Sequence, residues 1–188
     1  PVLVPYAGLE PHIDPFSVTG NAASGFLQTS PEYALKTLLG VGLSRIYAIT
    51  PCFRDEPRSA THSPQFTMLE WYREGADLHA LMDETEALIK AVAQKARAHV
   101  VDHVGTRLLR PFERITVRDA FQKHAALDPW SYEDATSFAD AARANGFRLS
   151  ELDVSWDSVF FEVFMSHVEP KLGLEQPTLL WGWPTSQA

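Results

Sequence analysis

The charged and aromatic residues between Cys52 and Arg73 are the part of this sequence whose types and spacing best suit chemistry. The stretch reads CFRDEPRSATHSPQFTMLEWYR, in which two strand-like runs flank a polar loop that contains proline. Arginine and carboxylate side chains at this spacing can hold a charged ligand, or they can simply pair with each other. The elements that carry them decide between these two outcomes.

Alternation along the second run groups part of these side chains on one face. If FTMLEWYR is a strand, successive side chains point to opposite faces. One face then carries Phe66, Met68, Glu70 and Tyr72. On the preceding run the same period groups Cys52 with Arg54, so strand pairing could bring Arg54 over the face of Glu70. The spacing alone favours the plainer interpretation, an ion pair between arginine and carboxylate that closes a hairpin, because such pairs are common.

The two runs themselves predict an antiparallel pair of strands. RIYAITPCF and QFTMLEWYR are rich in β-branched and aromatic residues, and a polar loop joins them. A loop of about a dozen residues between paired strands is usually functional.

The segment SPEYALKTLLGVG predicts a helix just upstream of the hairpin. Ser30 is expected at the N-cap and Pro31 at the first helical position. Gly40 or Gly42 is expected to end the helix. Glu32 falls in the first turn, where by itself it is a carboxylate that complements the helix dipole.

The rest of the chain predicts further helices and a few short strands. Short strands are expected at Val2–Val4 and in GFLQT, and PTLLWGW predicts a closing strand. From Asp77 the apolar residues follow helical spacing to about residue 99. Shorter helices are expected at about 116–125, 132–145 and 156–169. Together these elements predict an α+β fold, an antiparallel β-sheet flanked by helices.

Composition narrows the class of protein. Of 188 residues, 45% are apolar and 21% are charged, which is typical of a soluble globular protein. No run approaches the roughly 20 apolar residues that span a bilayer, so no membrane partner is expected. The single cysteine, Cys52, excludes an internal disulfide and favours a reducing, cytoplasmic setting. The net charge of -8 argues against a broadly basic surface for nucleic acid.

The motifs of this region resemble those of a known family. FRDE, a loop and then HSPQFTMLEWY are similar to the second signature motif of class II aminoacyl-tRNA synthetases, in the variant of the lysyl branch. SPEYALKTLLGVG resembles the helix that presents an amino-acid-binding glutamate in that branch. The same order of helix, strand, loop and strand over residues 26 to 90 implies a class II synthetase-like fold.

Within the lysyl branch, the chain looks most similar to the paralogues that modify elongation factor P. SPEY, MLEWYR and the terminal PTSQA carry this likeness. It implies that ATP, arriving with Mg²⁺, activates lysine or β-lysine as an adenylate, which is then transferred to a lysine of elongation factor P. The spacing of the histidines predicts no metal site built from the protein's own residues.

The resemblance also implies roles for residues of the loop and hairpin. Arg54 would be the catalytic residue, since its guanidinium can bridge the α-phosphate of ATP and the attacking carboxylate. Glu56 would accept from the adenine amino group or fix the loop. His62 would lie near the γ-phosphate, and Phe66 would stack on adenine. Without the resemblance, His62 is a surface-loop histidine and Phe66 a core residue.

The amino-acid substrate would be held by carboxylates. In this interpretation Glu32 binds the α-ammonium or its β-amino equivalent, and Glu70 with Tyr72 holds the distal ammonium. Ser30, beside Glu32, completes the substrate-binding set. Two residues depart from the family pattern: Ser63 and Gln65 stand where the family mostly has asparagine and glutamate. The hydroxyl of Ser63 cannot reproduce the two-ended hydrogen bonding of an amide, which bears on the nucleotide contact.

The resemblance implies that residues 1–188 are a partial catalytic domain. The family's first motif, which builds a homodimer interface, would precede residue 1, and the acidic metal motif and third motif would follow residue 188. Two alternatives stay open: the catalytic core of a lysyl-tRNA synthetase, and a degenerate paralogue that acts as a binding module. The acidic charge balance and the paralogue-like variants make tRNA the less expected acceptor.

Overall fold

The structure is a computed structural model that describes residues 2–5, 13–96, 106–150 and 155–187. Its contacts divide the chain into two compact units, Pro1–Asp77 and Leu78–Ala188. The assignment of the whole chain to one partial catalytic domain stays a prediction.

A small antiparallel sheet opens the first unit. Its strands are β1 (Leu3–Val4), β2 (Ser17–Thr19) and β3 (Ser24–Leu27), in the order β1-β3-β2. The strands predicted at Val2–Val4 and in GFLQT are confirmed as β1 and β3, whereas β2 was not predicted because three residues carry too little pattern. A Cβ on Gly25 would lie 2.5 Å from the carbonyl oxygen of Val4, so only glycine allows β1 and β3 to approach this closely.

The predicted helix and hairpin follow in the first unit. Helix α1 (Glu32–Gly40) precedes β4 (Arg45–Phe53) and β5 (Gln65–Arg73), which pair antiparallel. The hairpin therefore has the predicted bounds.

The capping of α1 differs by one residue from the prediction. Pro31 occupies the N-cap, and Glu32 is the first helical residue. The hydroxyl of Ser30 nevertheless accepts a hydrogen bond of 3.0 Å from the backbone N–H of Glu32. Gly42, with φ of +95°, follows the helix in a left-handed conformation that suits glycine at a helix end.

Helix α1 is held beside the hairpin by buried contacts. Leu35 is its buried residue, and α1 packs against both β4 and β5. The buried Gln28, just after β3, donates to Thr50 Oγ1 at 2.9 Å and to the carbonyl oxygen of Pro51 at 2.8 Å. These bonds satisfy a buried amide and fix the start of α1 relative to β4.

The second unit is mostly helical. It contains α2 (Leu78–Ala96), β6 (Glu113–Thr116), α3 (Val117–Ala125), α4 (Ala135–Ala144), α5 (Trp156–Val163) and β7 (Thr178–Trp181). A π-helical turn, Phe164–Val168, continues α5. The predicted helices and closing strand are thus confirmed, apart from residues 97–99, which lie outside the described residues. The fully buried rings of Phe121, Phe138 and Phe160 form the centre of its core.

One strand pair departs from the predicted antiparallel sheet. The mixed class with antiparallel strands is confirmed by β1 to β5, but β6 and β7 pair in parallel. Among the described residues, three α-helices (α3, α4 and α5) lie between β6 and β7 in sequence, and a crossover of that length lets the chain return in the same direction. The flanking of a single sheet by helices stays a prediction.

Candidate active site

All the predicted site residues belong to the first unit. They lie at the start of α1 (Ser30 and Glu32), on β5 (Phe66, Glu70 and Tyr72) and in the β4–β5 loop (Arg54, Glu56 and His62). The structure brings most of them into two clusters, one around Glu70 and one around Phe66.

Hydroxyl groups from two elements converge on Glu70. Ser30 Oγ donates to one carboxylate oxygen at 2.8 Å, and the phenol of Tyr72 donates to the other at 2.5 Å. Because the Ser30 hydroxyl also accepts from the Glu32 N–H, it connects the start of α1 to β5. Ser30 thus orients Glu70, and its direct contact with substrate stays a prediction.

The electrostatics of this cluster keep Tyr72 as a donor. Burial, together with the hydrogen bond to Glu70, raises the pKa of the Tyr72 phenol well above its usual value. Burial and the charge of Glu70 also raise the pKa of the Cys52 thiol, which is fully buried. Both groups therefore stay neutral near pH 7, and the Tyr72 phenol keeps the hydrogen that it donates to Glu70. A half-buried carboxylate held by two hydroxyls is suited to bind an ammonium.

Glu32 already contacts an ammonium within the chain. Lys36 lies one turn further along α1 and forms an ion pair with Glu32. The hydrogen bond that Lys36 donates to Glu32 raises the pKa of the Lys36 ammonium. Because the pair is exposed, it contributes little to stability, so an incoming substrate ammonium could replace Lys36 on Glu32. The spacing of four residues was a helical signal for this pair that the sequence interpretation did not use.

Arg54 stacks on Phe66 and has a polar atom without a partner. Its guanidinium carbon lies 5.3 Å from the centroid of the Phe66 ring. Its Nε is buried and has no hydrogen-bond partner in the described part of the chain. Arg54 forms no ion pair with another described residue. The alternative prediction from the sequence, an ion pair between arginine and carboxylate that closes the hairpin, therefore finds no support. A buried N–H without an acceptor is costly, and an oxygen of a bound anion would satisfy it.

The strand register separates the two clusters. Phe66 lies opposite Cys52, whereas Glu70 lies opposite Ala48. Four residues of antiparallel strand correspond to roughly 14 Å, so Arg54 does not lie over Glu70 as the alternation had suggested. One face of β5 thus presents an aromatic ring with an arginine at one end and a carboxylate with a phenol at the other.

The β4–β5 loop carries the remaining predicted residues. Glu56 is partly buried and His62 is exposed. His62 Nδ1 lies 3.1 Å from Ser59 Oγ and 3.0 Å from Thr61 Oγ1. Ser59 and Thr61 were not predicted, because hydroxyl residues in a polar loop have no distinctive sequence pattern.

The described residues contain neither a cluster suited to a metal ion nor a helix suited to span a membrane. No group of three or more histidine, cysteine, aspartate or glutamate side chains there could hold a metal ion. No described helix is long and apolar enough to cross a bilayer.

Comparison with known proteins gives a consistent result. Residues 1–184 match the family described as tRNA synthetases class II (D, K and N). A protein of Erwinia tasmaniensis named Elongation factor P–(R)-beta-lysine ligase is 33% identical over 183 residues, covering 94% of this chain and 52% of the relative. A protein of the same name from Salmonella arizonae is 32% identical over 163 residues, covering 87% of this chain and 46% of the relative. The chain spans about half the length of these relatives.

Proposed function

The chain belongs to the class II tRNA synthetases of the D, K and N group, and we propose that its protein is an ATP-dependent ligase for elongation factor P. In this proposal the enzyme activates lysine or β-lysine as an adenylate and transfers it to a lysine side chain of elongation factor P. The names of the relatives support the acceptor and the substrate class. The predicted homodimer and cytoplasmic location stay predictions.

The order of side chains along β5 is the observation that carries the proposal. Phe66, with Arg54 on its ring, suits a nucleotide and its α-phosphate, and Glu70 with Tyr72 suits the ammonium of lysine. An aminoacyl-adenylate has the same order of parts, since its adenine and phosphate lie at one end and the lysine side chain at the other. In this proposal Glu32 also binds the lysine end of the adenylate, and Glu56 also binds its adenine end.

Formation of the adenylate requires that the attacking carboxylate and the α-phosphate are held in line and that their negative charge is stabilised. The carboxylate of lysine attacks the α-phosphorus, a new P–O bond forms, and the bond to the leaving pyrophosphate breaks. The carboxylate is already ionised, so no general base is required. Arg54 would hold the attacking carboxylate and the α-phosphate in line, and its unpartnered Nε fits an oxygen there. An amine of the acceptor then attacks the carbonyl carbon, AMP leaves, and the amine loses a proton to solvent.

Mg²⁺ would reach this site with ATP. It would neutralise charge on the phosphates when bound, and phosphate oxygens would supply much of its coordination. His62, in the loop that follows Arg54, would contact the terminal phosphate.

We expect replacement of Phe66 with leucine to weaken ATP about 5- to 100-fold, because stacking of a base on an aromatic ring contributes about 1–3 kcal/mol. Leucine keeps an apolar side chain under Arg54 but removes the aromatic face. The KM values for ATP and lysine, measured by pyrophosphate exchange in the full-length protein, check this. Leu69→Ala, on the exposed opposite face of β5, is the control. Equal weakening of ATP and lysine would instead point to a core role for Phe66.

Transfer is expected to go to elongation factor P in preference to tRNA. The full-length protein is given ATP, Mg²⁺, labelled lysine or β-lysine, and both acceptors in one tube, and label on protein is then separated from label on RNA. Label mainly on tRNA would identify a lysyl-tRNA synthetase core. Label on neither acceptor, without adenylate, would favour a binding module.

A further inference from the structure

The tip of the β4–β5 loop is a turn organised by one serine. The N–H of Ser59 donates to the carbonyl oxygen of His62 at 3.0 Å. In return, Ser59 Oγ accepts from the backbone N–H of His62 at 3.1 Å and of Thr61 at 3.3 Å. A single side chain thus closes a turn that is otherwise exposed to solvent.

The same hydroxyl reaches the imidazole of His62. Ser59 Oγ lies 3.1 Å from His62 Nδ1, and Thr61 Oγ1 lies 3.0 Å from the same nitrogen. A serine hydroxyl has two acceptor positions and one hydrogen. Both acceptor positions of Ser59 are occupied by backbone N–H groups, so its hydrogen is left for donation. Of the two acceptors in reach, His62 Nδ1 at 3.1 Å is nearer than Thr61 Oγ1 at 3.5 Å, and the shorter contact favours donation to Nδ1. A neutral imidazole whose Nδ1 accepts carries its own hydrogen on Nε2.

We propose that Ser59 is a positioning residue for His62, which it holds as the Nε2–H tautomer, ready to donate to the terminal phosphate of ATP. The phosphate contact rests on the proposed function, whereas the tautomer rests on the hydrogen bonds of the turn alone. The arrangement suits a phosphate oxygen, which is an acceptor, because within the described part of the chain the contacts that hold the ring are made by Nδ1.

A double-mutant cycle tests whether Ser59 acts through His62. In the full-length protein, Ser59→Ala is expected to raise the KM for ATP about 3- to 10-fold, the scale of one lost hydrogen bond of about 1 kcal/mol. The KM for lysine should change less than about 2-fold. In a His62→Ala background, Ser59→Ala should add little. An equal loss in both backgrounds would mean that Ser59 supports only the loop and would overturn the proposal.

Two further variants and a second nucleotide sharpen the test. Ser59→Thr keeps the hydroxyl and should restore ATP binding, whereas Thr61→Val keeps both backbone bonds of the turn and should have the smaller effect. Binding of AMP, which lacks the terminal phosphate, should be unchanged in Ser59→Ala. Weaker binding of AMP to Ser59→Ala would mean that Ser59 supports a contact other than the one with the terminal phosphate, which would contradict the proposal.

The tautomer is measured without any nucleotide. Long-range ¹H–¹⁵N spectra of the full-length protein, with the His62 signals assigned by their loss in His62→Gln, should give a protonated Nε2 and an Nδ1 without hydrogen in the neutral ring. Ser59→Ala should shift the population towards Nδ1–H. A wild-type ring protonated on Nδ1 would overturn the inference even if ATP binds. If the protein does not bind ATP, the proposed function and the phosphate contact are wrong, but the measured tautomer still tests the role of Ser59.

Discussion

Replacement of Arg54 with alanine is expected to lower the rate of lysine-dependent ATP–pyrophosphate exchange about 10²- to 10³-fold, the scale for removing one preorganised donor from a charge-stabilising site. The guanidinium rests on Phe66, and its buried Nε has no partner among the described residues. Alanine removes the guanidinium and, with it, this unpartnered donor. The exchange rate of the full-length protein measures the effect.

Two variants separate this role from general damage. Arg54→Lys keeps the charge but not the planar fork, so it should recover only part of the rate. Arg45→Ala, at the far end of β4 and exposed, should exchange at nearly the wild-type rate. If Arg54→Ala folds normally and also exchanges at nearly the wild-type rate, Arg54 has only a structural role.

Glu70→Gln is expected to raise the KM for lysine about 10- to 100-fold, because a hydrogen bond to a charged group contributes roughly 1.5–3 kcal/mol. The substitution keeps the size of the side chain but removes its charge. It also turns an NH₂ towards one of the two hydroxyls that now donate to the carboxylate, from Ser30 and Tyr72. The KM for ATP should stay nearly constant, since Phe66 and Arg54 lie at the other end of β5.

A substrate analogue identifies which ammonium Glu70 binds. Norleucine has the α-ammonium of lysine but an uncharged side chain, so Glu70→Gln should reduce the preference for lysine over norleucine. If both amino acids weaken equally, Glu70 binds the α-ammonium and not the distal one. Glu74→Gln, an exposed carboxylate just after β5, is the matched control and should leave both KM values unchanged.

Much of the framework was predictable because its signals are local. The bounds of β4 and β5 follow from two runs of β-branched and aromatic residues, and the alternation within FTMLEWYR placed Phe66, Glu70 and Tyr72 on one face. The helix α1 follows from Ser30, Pro31 and the glycines after it, although its first residue shifts by one. The motif resemblance identified the candidate site residues, but it did not predict which of them are in contact.

The sequence by itself therefore determined the hairpin, the helix beside it and the inventory of charged and aromatic groups, since propensity, capping and alternation act over a few neighbouring residues. Only the tertiary structure decided the partners. Ser30 donates to Glu70 from 40 positions away, Arg54 stacks on Phe66 instead of pairing with Glu70, and β7 returns parallel to β6. These contacts depend on strand register and on where a distant segment packs, and burial energy, which no local pattern records, determines both.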